Sequence, residues 1–296
     1  MFEGFDLDRL NVGEAEIMVR RGGSGPPLLL LHGNPQTHAM WHAVAPILAQ
    51  HFSVVATDLR GYGDSSKPPT DARHAPYSKR TLAADQLKVM QRLGYEGFFV
   101  AGHDRGGRVA YRMALDAPTA VRKLAVLDII PMGEAFARMD HKVALGYWQW
   151  LFMAQPYDLP EHFIGLDPER FLRRLLARGP QALTFFTPAA LDEYIRCFSN
   201  PDTLHAICEE LRAGATIDCE HDWADQRDGR KIACPVLVLW GSRGRLSEWY
   251  DVLAVWRGWA EHVSGRSLAT GHYLAEEAPS ETAQELISFF TAGAAG

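Results

Sequence analysis

The chain has 296 residues, 47% of them apolar, with a formal net charge of −6 and a pI near 6.1. That is enough for one large core with an inserted smaller region, and the lack of long basic blocks excludes a nucleic-acid partner. No signal peptide or bilayer-spanning run is recognisable, and the four cysteines form no C-x-x-C pair. We therefore expect a cytoplasmic protein with reduced thiols and no membrane partner.

The first part of the chain predicts alternating strands and helices. In chain order these are strands at Glu16–Val19 and Pro27–Leu31, a helix at Trp41–Gln50, a strand at Phe52–Ala56 and a helix at Thr81–Leu93. An H-G-N-P turn that contains Asn34 follows the second strand. A Gly-rich loop that contains Asp58 and Arg60 follows the third, and we interpret these two charges as structural rather than catalytic.

A short apolar run then leads into Gly102-x-Asp104-x-Gly106, and a helix is predicted from Gly107 to Ala114. Small residues on both sides of a central residue are typical of a sharp strand-to-helix turn. The pattern resembles the nucleophile elbow of the α/β-hydrolases, with Asp in place of Ser. Because a carboxylate is ionised at pH 7, Asp104 could attack carbon without a base and form an ester that water then hydrolyses.

The alternation continues with a strand at Val121–Asp128 and then stops. Residues 131–230 contain aromatic-rich helical segments, and strands return at Cys234–Trp240 and Val263–Leu268. The predicted fold is therefore α/β, an α/β-hydrolase fold with a mostly parallel sheet flanked by helices. We predict that residues 1–130 and 231–296 form the core domain and that 131–230 form a helical cap domain.

Two further residues complete a predicted catalytic triad. His272 follows the last strand, where the chain order nucleophile, acid, histidine places the base. The loop after Trp240 contains no Asp, so Asp128, at the end of the preceding strand, is the better candidate to orient His272. His103 is next to Asp104 but is expected to pack below the site. The sequence shows neither the G-x-S-x-G motif of serine esterases nor a metal-binding H-E-x-x-H motif.

These motifs resemble the fluoroacetate and haloacetate dehalogenases of the α/β-hydrolase superfamily. The likeness rests on Gly102–Arg108 with Asp128 and His272, and it extends to His32–Gln36, Asp58–Gly63 and Ala154–Pro156. The broad motifs are shared with epoxide hydrolases and haloalkane dehalogenases. The resemblance implies a small-molecule carboxylate as the substrate, a homodimer formed through cap helices, and no cofactor.

The pair Arg105 and Arg108 is the more specific signal. The two residues are three positions apart at a helix start, so they can share a face beside Asp104. Two like charges repel each other unless an anion lies between them, and a substrate carboxylate would fit. The alternative is that these arginines form salt bridges with acidic residues of the cap.

The leaving-group pocket departs from the family pattern. Trp150 is kept, but Gln149 stands where the resemblance implies His, and Leu211 stands where it implies Tyr. Asn34 occupies a position at which haloalkane dehalogenases have a halide-binding Asn. Loss of two hydrogen-bond donors should affect fluoride most. We therefore predict a halide site made by Asn34 and Trp150, with Tyr147 and Gln149 as further substrate-binding residues, that is better matched to chloride or bromide.

Two other functions stay open. An epoxide hydrolase would use the same triad together with a cap acid, for which the candidates are Tyr147, Tyr157, Tyr194 and His162. The two arginines argue against this function, because a neutral epoxide has no use for them. A non-catalytic binding module is the third possibility, and the complete triad argues against it.

Overall fold

The computed structural model describes residues 1–177 and 183–293. An eight-stranded sheet has the order β1-β2-β4-β3-β5-β6-β7-β8, in which β2 is antiparallel to β1 and β4 and the other neighbours are parallel. The strands are β1 Asp6–Asn11, β2 Glu16–Gly22, β3 Pro27–Leu31, β4 Ser53–Thr57, β5 Phe98–His103, β6 Val121–Leu127, β7 Val236–Gly241 and β8 Val263–Leu268. The predicted fold class is confirmed.

Helices join the strands and cover the sheet. Those of the strand-helix alternation are α1 Ala45–Leu48, α2 Lys79–Arg92, α3 Arg105–Asp116, α12 Leu246–Trp249, α13 Val252–Trp259, α14 Leu274–Glu277 and α15 Pro279–Thr291, with short 3-10 helices at His38–Trp41 and Ala75–Tyr77. Between β6 and β7 lie α4 Met132–Ala137, α5 His141–Gly146, α6 Trp148–Met153, α7 Leu159–Gly165, α8 Pro168–Leu176, α9 Pro188–Phe198, α10 Pro201–Ala215 and α11 Ile217–Arg227. We call α4–α11 the insert helices.

The central strands are buried because helices cover both faces of the sheet. In β3, Leu28–Leu31 have no exposed surface, and on one side Val100–His103 of β5 and Leu124–Leu127 of β6 are also buried. A continuous apolar run, rather than an alternating one, is the pattern expected for such strands. The parallel strands all end at the same edge, which therefore gathers the residues that follow β3, β5, β6 and β8.

The structure corrects the element predictions in two places. Strand β1, which pairs with β2 along its whole length, was not predicted from the sequence. The helix predicted over Trp41–Gln50 is instead a 3-10 turn and the short helix α1, in which Pro46 lies in the first turn. Proline has no N–H to continue a hydrogen-bonded helix, so the helix can begin there but cannot run through it.

The predicted helical region between β6 and β7 is confirmed, since the described residues of this interval form helices and no strand. The segment predicted as Ala144–Met153 is divided at Tyr147 into α5 and α6. The boundaries of a separate cap domain at 131 and 230 stay a prediction. No helix in the described ranges is both long and apolar enough to cross a bilayer, and the cytoplasmic location stays a prediction.

Candidate active site

Asp104 lies at a sharp turn between β5 and α3. Its φ of 46° is in the left-handed region, which non-glycine residues rarely adopt. A Cβ on Gly102 would lie 2.4 Å from the carbonyl oxygen of Gly106, and a Cβ on Gly106 would lie 2.5 Å from that of His32. Only glycine fits at these two positions, so the backbone can hold the Asp104 carboxylate above the edge of the sheet.

One oxygen of this carboxylate already has a hydrogen-bond donor. The backbone N–H of Asn34, in the turn after β3, donates to Asp104 Oδ1 at 3.0 Å. The other oxygen, Oδ2, lies 3.5 Å from Nη1 of Arg108 and 3.8 Å from Nε2 of His272. The carboxylate is thus oriented, with Oδ1 toward the Asn34 N–H and Arg105, whose Nε lies 3.9 Å away, and Oδ2 toward Arg108 and His272.

The structure brings His272 and Asp128 together behind Asp104. Nδ1 of His272 lies 2.6 Å from Asp128 Oδ2, and the backbone N–H of Gly241 donates to Asp128 Oδ1 at 3.0 Å. A carboxylate at Nδ1 favours the tautomer with a proton there, which leaves Nε2 as a base. Nε2 is buried and has no hydrogen-bond partner among the described residues.

His103 holds the backbone of the histidine from below, as the sequence predicted. Its Nε2 lies 2.7 Å from the His272 carbonyl oxygen and donates to it. Burial, followed by the charge of His272, lowers the pKa of His103 to about 3. The ring is therefore neutral at ordinary pH and serves as a fixed donor.

Arg105 and Arg108 lie side by side against one aromatic ring. Their guanidinium carbons are 4.8 and 4.7 Å from the Trp150 ring of α6. Tyr147 stacks on the same indole with ring centroids 4.0 Å apart. The π-face of Trp150 offsets part of the repulsion between the two cations.

Several N–H donors of Arg105 and Arg108 have no acceptor among the described residues. Among the described residues, all three guanidinium nitrogens of Arg105 and the Nε of Arg108 are buried without a hydrogen-bond partner. Buried donors of this kind are costly unless an acceptor joins them. The arrangement is suited to an anion with two oxygens, such as a carboxylate.

Arg105 also meets an acidic residue of the insert helices, as the alternative interpretation of the sequence expected. Glu210 of α10 is fully buried, and its Oε2 lies 3.6 Å from the Nε of Arg105. Its Oε1 pairs with Lys79 of α2, which also contacts Asp218 Oδ2 at 3.1 Å. Sequence reasoning missed Glu210 and Lys79, because a charge at either position is typical of a solvated helix face.

The cations beside Asp104 decide its ionisation. Burial alone would raise the pKa of Asp104, but the charge of Arg105, followed by those of His272 and Arg108, lowers it well below its usual range. Its position before the first turn of α3 adds a favourable helix dipole. Asp104 is therefore ionised, as a nucleophile that attacks carbon must be.

The remaining predicted residues lie at different places around the site. Gln149 is buried and lines a cavity that also contacts His272. Asn34 has a buried side-chain oxygen with no partner in the described part of the chain. Leu211 is buried on α10, one residue after Glu210.

The charged residues of the loop after β4 make contacts that stabilise the loop. Arg60 donates two hydrogen bonds to the carboxylate of Asp85, at 2.6 and 2.8 Å. Asp58 accepts from the backbone N–H groups of His38 and Asp64, at 2.8 and 2.9 Å. Burial opposes the charge of Asp58, yet His38 outweighs it and lowers the pKa of Asp58 to about 2. These contacts agree with the prediction that both charges stabilise the loop.

The fold, the strained elbow and the residues at its edge define an α/β-hydrolase. The family model described as the alpha/beta hydrolase fold matches residues 26–279, and the chain belongs to this family. A fluoroacetate dehalogenase from a Burkholderia species is 44% identical over 100% of this chain and 97% of its own length. A soluble epoxide hydrolase from Corynebacterium sp. (strain C12) is 35% identical over 90% of this chain and 91% of its own.

A solved structure is similar over nearly the whole chain as well. That of ALR0039 from Nostoc sp PCC 7120 has 54% identity and a TM-score of 0.96, covering 99% of this chain and 100% of that one. The family resemblance predicted from the motifs is confirmed, and the protein is a hydrolase.

Proposed function

We propose that the protein hydrolyses small 2-haloacids such as haloacetates to 2-hydroxy acids, with Asp104 as the nucleophile. The observation that carries this proposal is the pair of buried guanidinium groups beside Asp104, with donors that no described residue satisfies. A substrate carboxylate held by Arg105 and Arg108 would present its α-carbon to Asp104. The similarity to a fluoroacetate dehalogenase supports this substrate class.

The first step is a displacement at carbon. Oδ2 of Asp104 attacks, because Oδ1 is held by the Asn34 N–H, and the halide leaves with the electron pair of the carbon–halogen bond. The product is an ester between Asp104 and the substrate's α-carbon. Trp150 and Asn34 are the proposed halide site, with Gln149 and Tyr147 as neighbouring substrate-binding residues.

The second step is hydrolysis of that ester. Nε2 of His272 takes a proton from water, and the water oxygen attacks the carboxyl carbon of Asp104. The backbone N–H of Asn34 is placed to stabilise the oxyanion that forms on Oδ1. Asp128 stabilises the imidazolium, which returns its proton to the leaving oxygen as the bond between Oδ2 and the carboxyl carbon breaks. The 2-hydroxy acid is released, and loss of the remaining water proton to solvent restores the carboxylate.

Halide release tests the proposal directly. We would measure it with ion-selective electrodes from fluoro-, chloro- and bromoacetate, for the wild type and for Asp104→Asn. Chloride or bromide release that the substitution abolishes supports the proposal. No release from any of the three would contradict it.

Epoxide hydrolysis is the second candidate function, favoured by the epoxide-hydrolase relative and by the pairing of Arg105 with Glu210. Of the four candidate cap acids, Tyr194 donates to Glu276 at 2.9 Å, while Tyr157 and His162 are exposed. Tyr147, which lines the cavity beside His272, remains the best-placed acid. Diol formation from a panel of epoxides, abolished in Tyr147→Phe, would establish this function instead.

We also propose that the protein is a homodimer formed through the insert helices. Several large apolar side chains of α5–α7 and of the residue after them are exposed, namely Leu145, Leu151, Leu159, Phe163 and Leu166. Exposed apolar patches of this kind mark interaction surfaces. Light scattering of Phe163→Glu/Leu166→Glu should give the monomer mass, and an unchanged mass would exclude this face.

A further inference from the structure

A cavity of about 350 Å³ opens beside the candidate triad. Its inner wall includes Asp128 and His272, and its outer wall comes from the α5–α6 corner, the end of α8 and the loop after β7. Gln149 also lines it, so the cavity reaches the proposed leaving-group pocket. We call this cavity the vestibule.

Three arginines line the vestibule: Arg174, Arg243 and Arg245. All three are exposed. Arg243 pairs with Glu277 at 3.1 Å, and Arg245 donates to the carbonyl oxygen of Gly146 at 2.8 Å. Arg174 and Arg245 have no carboxylate partner within the described ranges.

The charge of the vestibule is therefore positive. Its lining contains one acidic residue, Asp128, whose charge is already engaged by His272 and by the Gly241 N–H. A cleft lined by one sign of charge raises the local concentration of ions of opposite sign and speeds their association. Such a field has no effect on the entry of a neutral molecule.

We propose that the vestibule is an anion-concentrating entry and exit site, taking the 2-haloacid carboxylate inward and the halide and 2-hydroxy acid outward. This inference rests on the proposed function for the identity of the anion. Both the substrate and the two products of that reaction are anions, which is why one cationic route serves all three. The two exposed arginines without carboxylate partners, Arg174 and Arg245, provide the field, while Arg105 and Arg108 bind at the reacting carbon.

The kinetic test compares Arg174→Gln/Arg245→Gln with Arg92→Gln/Arg257→Gln. The control has the same change in charge, but Arg92 and Arg257 are exposed in the last turns of α2 and α13, at the opposite edge of the sheet. At low ionic strength we expect kcat/KM for chloroacetate to fall about 3- to 10-fold in the vestibule variant, with kcat unchanged and the salt dependence lost. Equal kcat/KM in both variants would overturn the proposal.

A second test does not depend on turnover. Trp148 is partly exposed and lines the vestibule, so the iodide quenching of its fluorescence, taken as the difference from Trp148→Phe, reports the local anion concentration. We expect the iodide quenching constant to fall about twofold in the vestibule variant and to stay the same in the control, with acrylamide quenching equal in all. Unchanged iodide quenching would contradict the proposal that the vestibule concentrates anions. Reduced iodide quenching in a protein that releases no halide would support the anion-concentrating role of the vestibule and contradict the dehalogenase function.

Discussion

Glu210 of α10 lies with its Oε2 3.6 Å from the Nε of Arg105, so an insert helix contacts the residue that follows the proposed nucleophile. Burial alone would lower the pKa of Arg105, but Glu210, followed by Asp104, raises it, which keeps the guanidinium charged in a buried place. The same carboxylate would compete with a substrate carboxylate for that charge. If Arg105 binds the substrate carboxylate as proposed, Glu210 couples the binding of substrate to the packing of the insert on the core.

Replacement of Glu210 by glutamine tests its effect on substrate binding separately from its effect on stability. In Glu210→Gln, we expect KM for chloroacetate to fall several-fold, because Arg105 loses its competing partner. The free energy of unfolding should fall by about 3 kcal/mol, because Lys79 and Arg105 lose a buried counter-charge. Steady-state kinetics and urea unfolding measure the two quantities.

The neighbouring residue provides the control. Glu209 pairs with Arg212 at 2.7 Å and with His74, away from Arg105. Glu209→Gln should lower stability without a change in KM. If KM is also unchanged in Glu210→Gln, then Glu210 does not compete with the substrate for Arg105.

Loss of the acid that orients His272 should separate the two chemical steps. In Asp128→Asn, alkylation of Asp104 still proceeds, but hydrolysis of the ester should slow by at least about 100-fold, because the amide no longer supports the required tautomer and charge of His272. We expect a burst of one halide per subunit followed by a stall. Mass spectrometry should find the substrate's acid fragment attached at Asp104.

Addition of Asp104→Asn to that variant should remove both the burst and the adduct. Steady turnover by Asp128→Asn at the wild-type rate would show that Asp128 is not the orienting acid.

The leaving-group pocket should control the choice of halogen. We expect Gln149→His/Leu211→Tyr to raise the ratio of fluoride to chloride release, because fluoride needs strong hydrogen bonds as it leaves. Ion-selective electrodes at matched substrate concentrations measure the ratio. Gln149→His/Leu211→Phe adds the same bulk without the tyrosine hydroxyl and should give a smaller increase. An unchanged ratio in the Tyr variant would contradict the assignment of this pocket.

Glu276 should make stability depend on pH. Its carboxyl accepts from Tyr194 of α9 at 2.9 Å and from Gln36, and burial raises its pKa well above the usual value despite these bonds. A raised folded pKa gives stability that is complete below the unfolded pKa of about 4.5 and is lost as pH rises above it. We therefore expect Glu276→Gln to match the wild type near pH 4.5 and to have the higher Tm at pH 8.

The difference in Tm between wild type and variant across that range is the measurement. Tyr194→Phe removes a hydrogen bond but keeps the carboxyl, so it should keep the wild-type slope. Parallel Tm curves for Glu276→Gln and wild type would show that Glu276 titrates normally.

The residues of the predicted triad could be found from the sequence because they follow strands and their chain order is informative. Asp104 and Asp128 come directly after β5 and β6, and His272 lies four residues beyond the end of β8, so all three meet at one edge of the sheet. The arginine pair was visible through its spacing on α3. The partner of Arg105 was not, since only the packing of α10 on α2 and α3 brings Glu210 to a buried position.

The outermost strand of the sheet, β1, could not be predicted from the sequence either. Strand β1 is mostly exposed and lacks the continuous apolar run that marks β3 and β5. Its sequence therefore carries no clear strand pattern, although it pairs with β2. A helix was predicted over Trp41–Gln50 because the apolar residues there recur with helical spacing. Pro46 can be accommodated only in the first turn of a helix, so the α-helix begins at Ala45 instead of Trp41.

The Tyr194–Glu276 hydrogen bond and the Arg105–Glu210 ion pair hold α9 and α10 to the core from inside. Swinging the insert aside would expose two buried polar contacts at once, so access by opening is costly. We therefore expect α9 and α10 to stay closed over the site during turnover. If the protein acts on 2-haloacids as proposed, the space inside the closed site, more than chemical reactivity, sets the upper limit on substrate size, and longer 2-haloacids fail by size before they fail by mechanism.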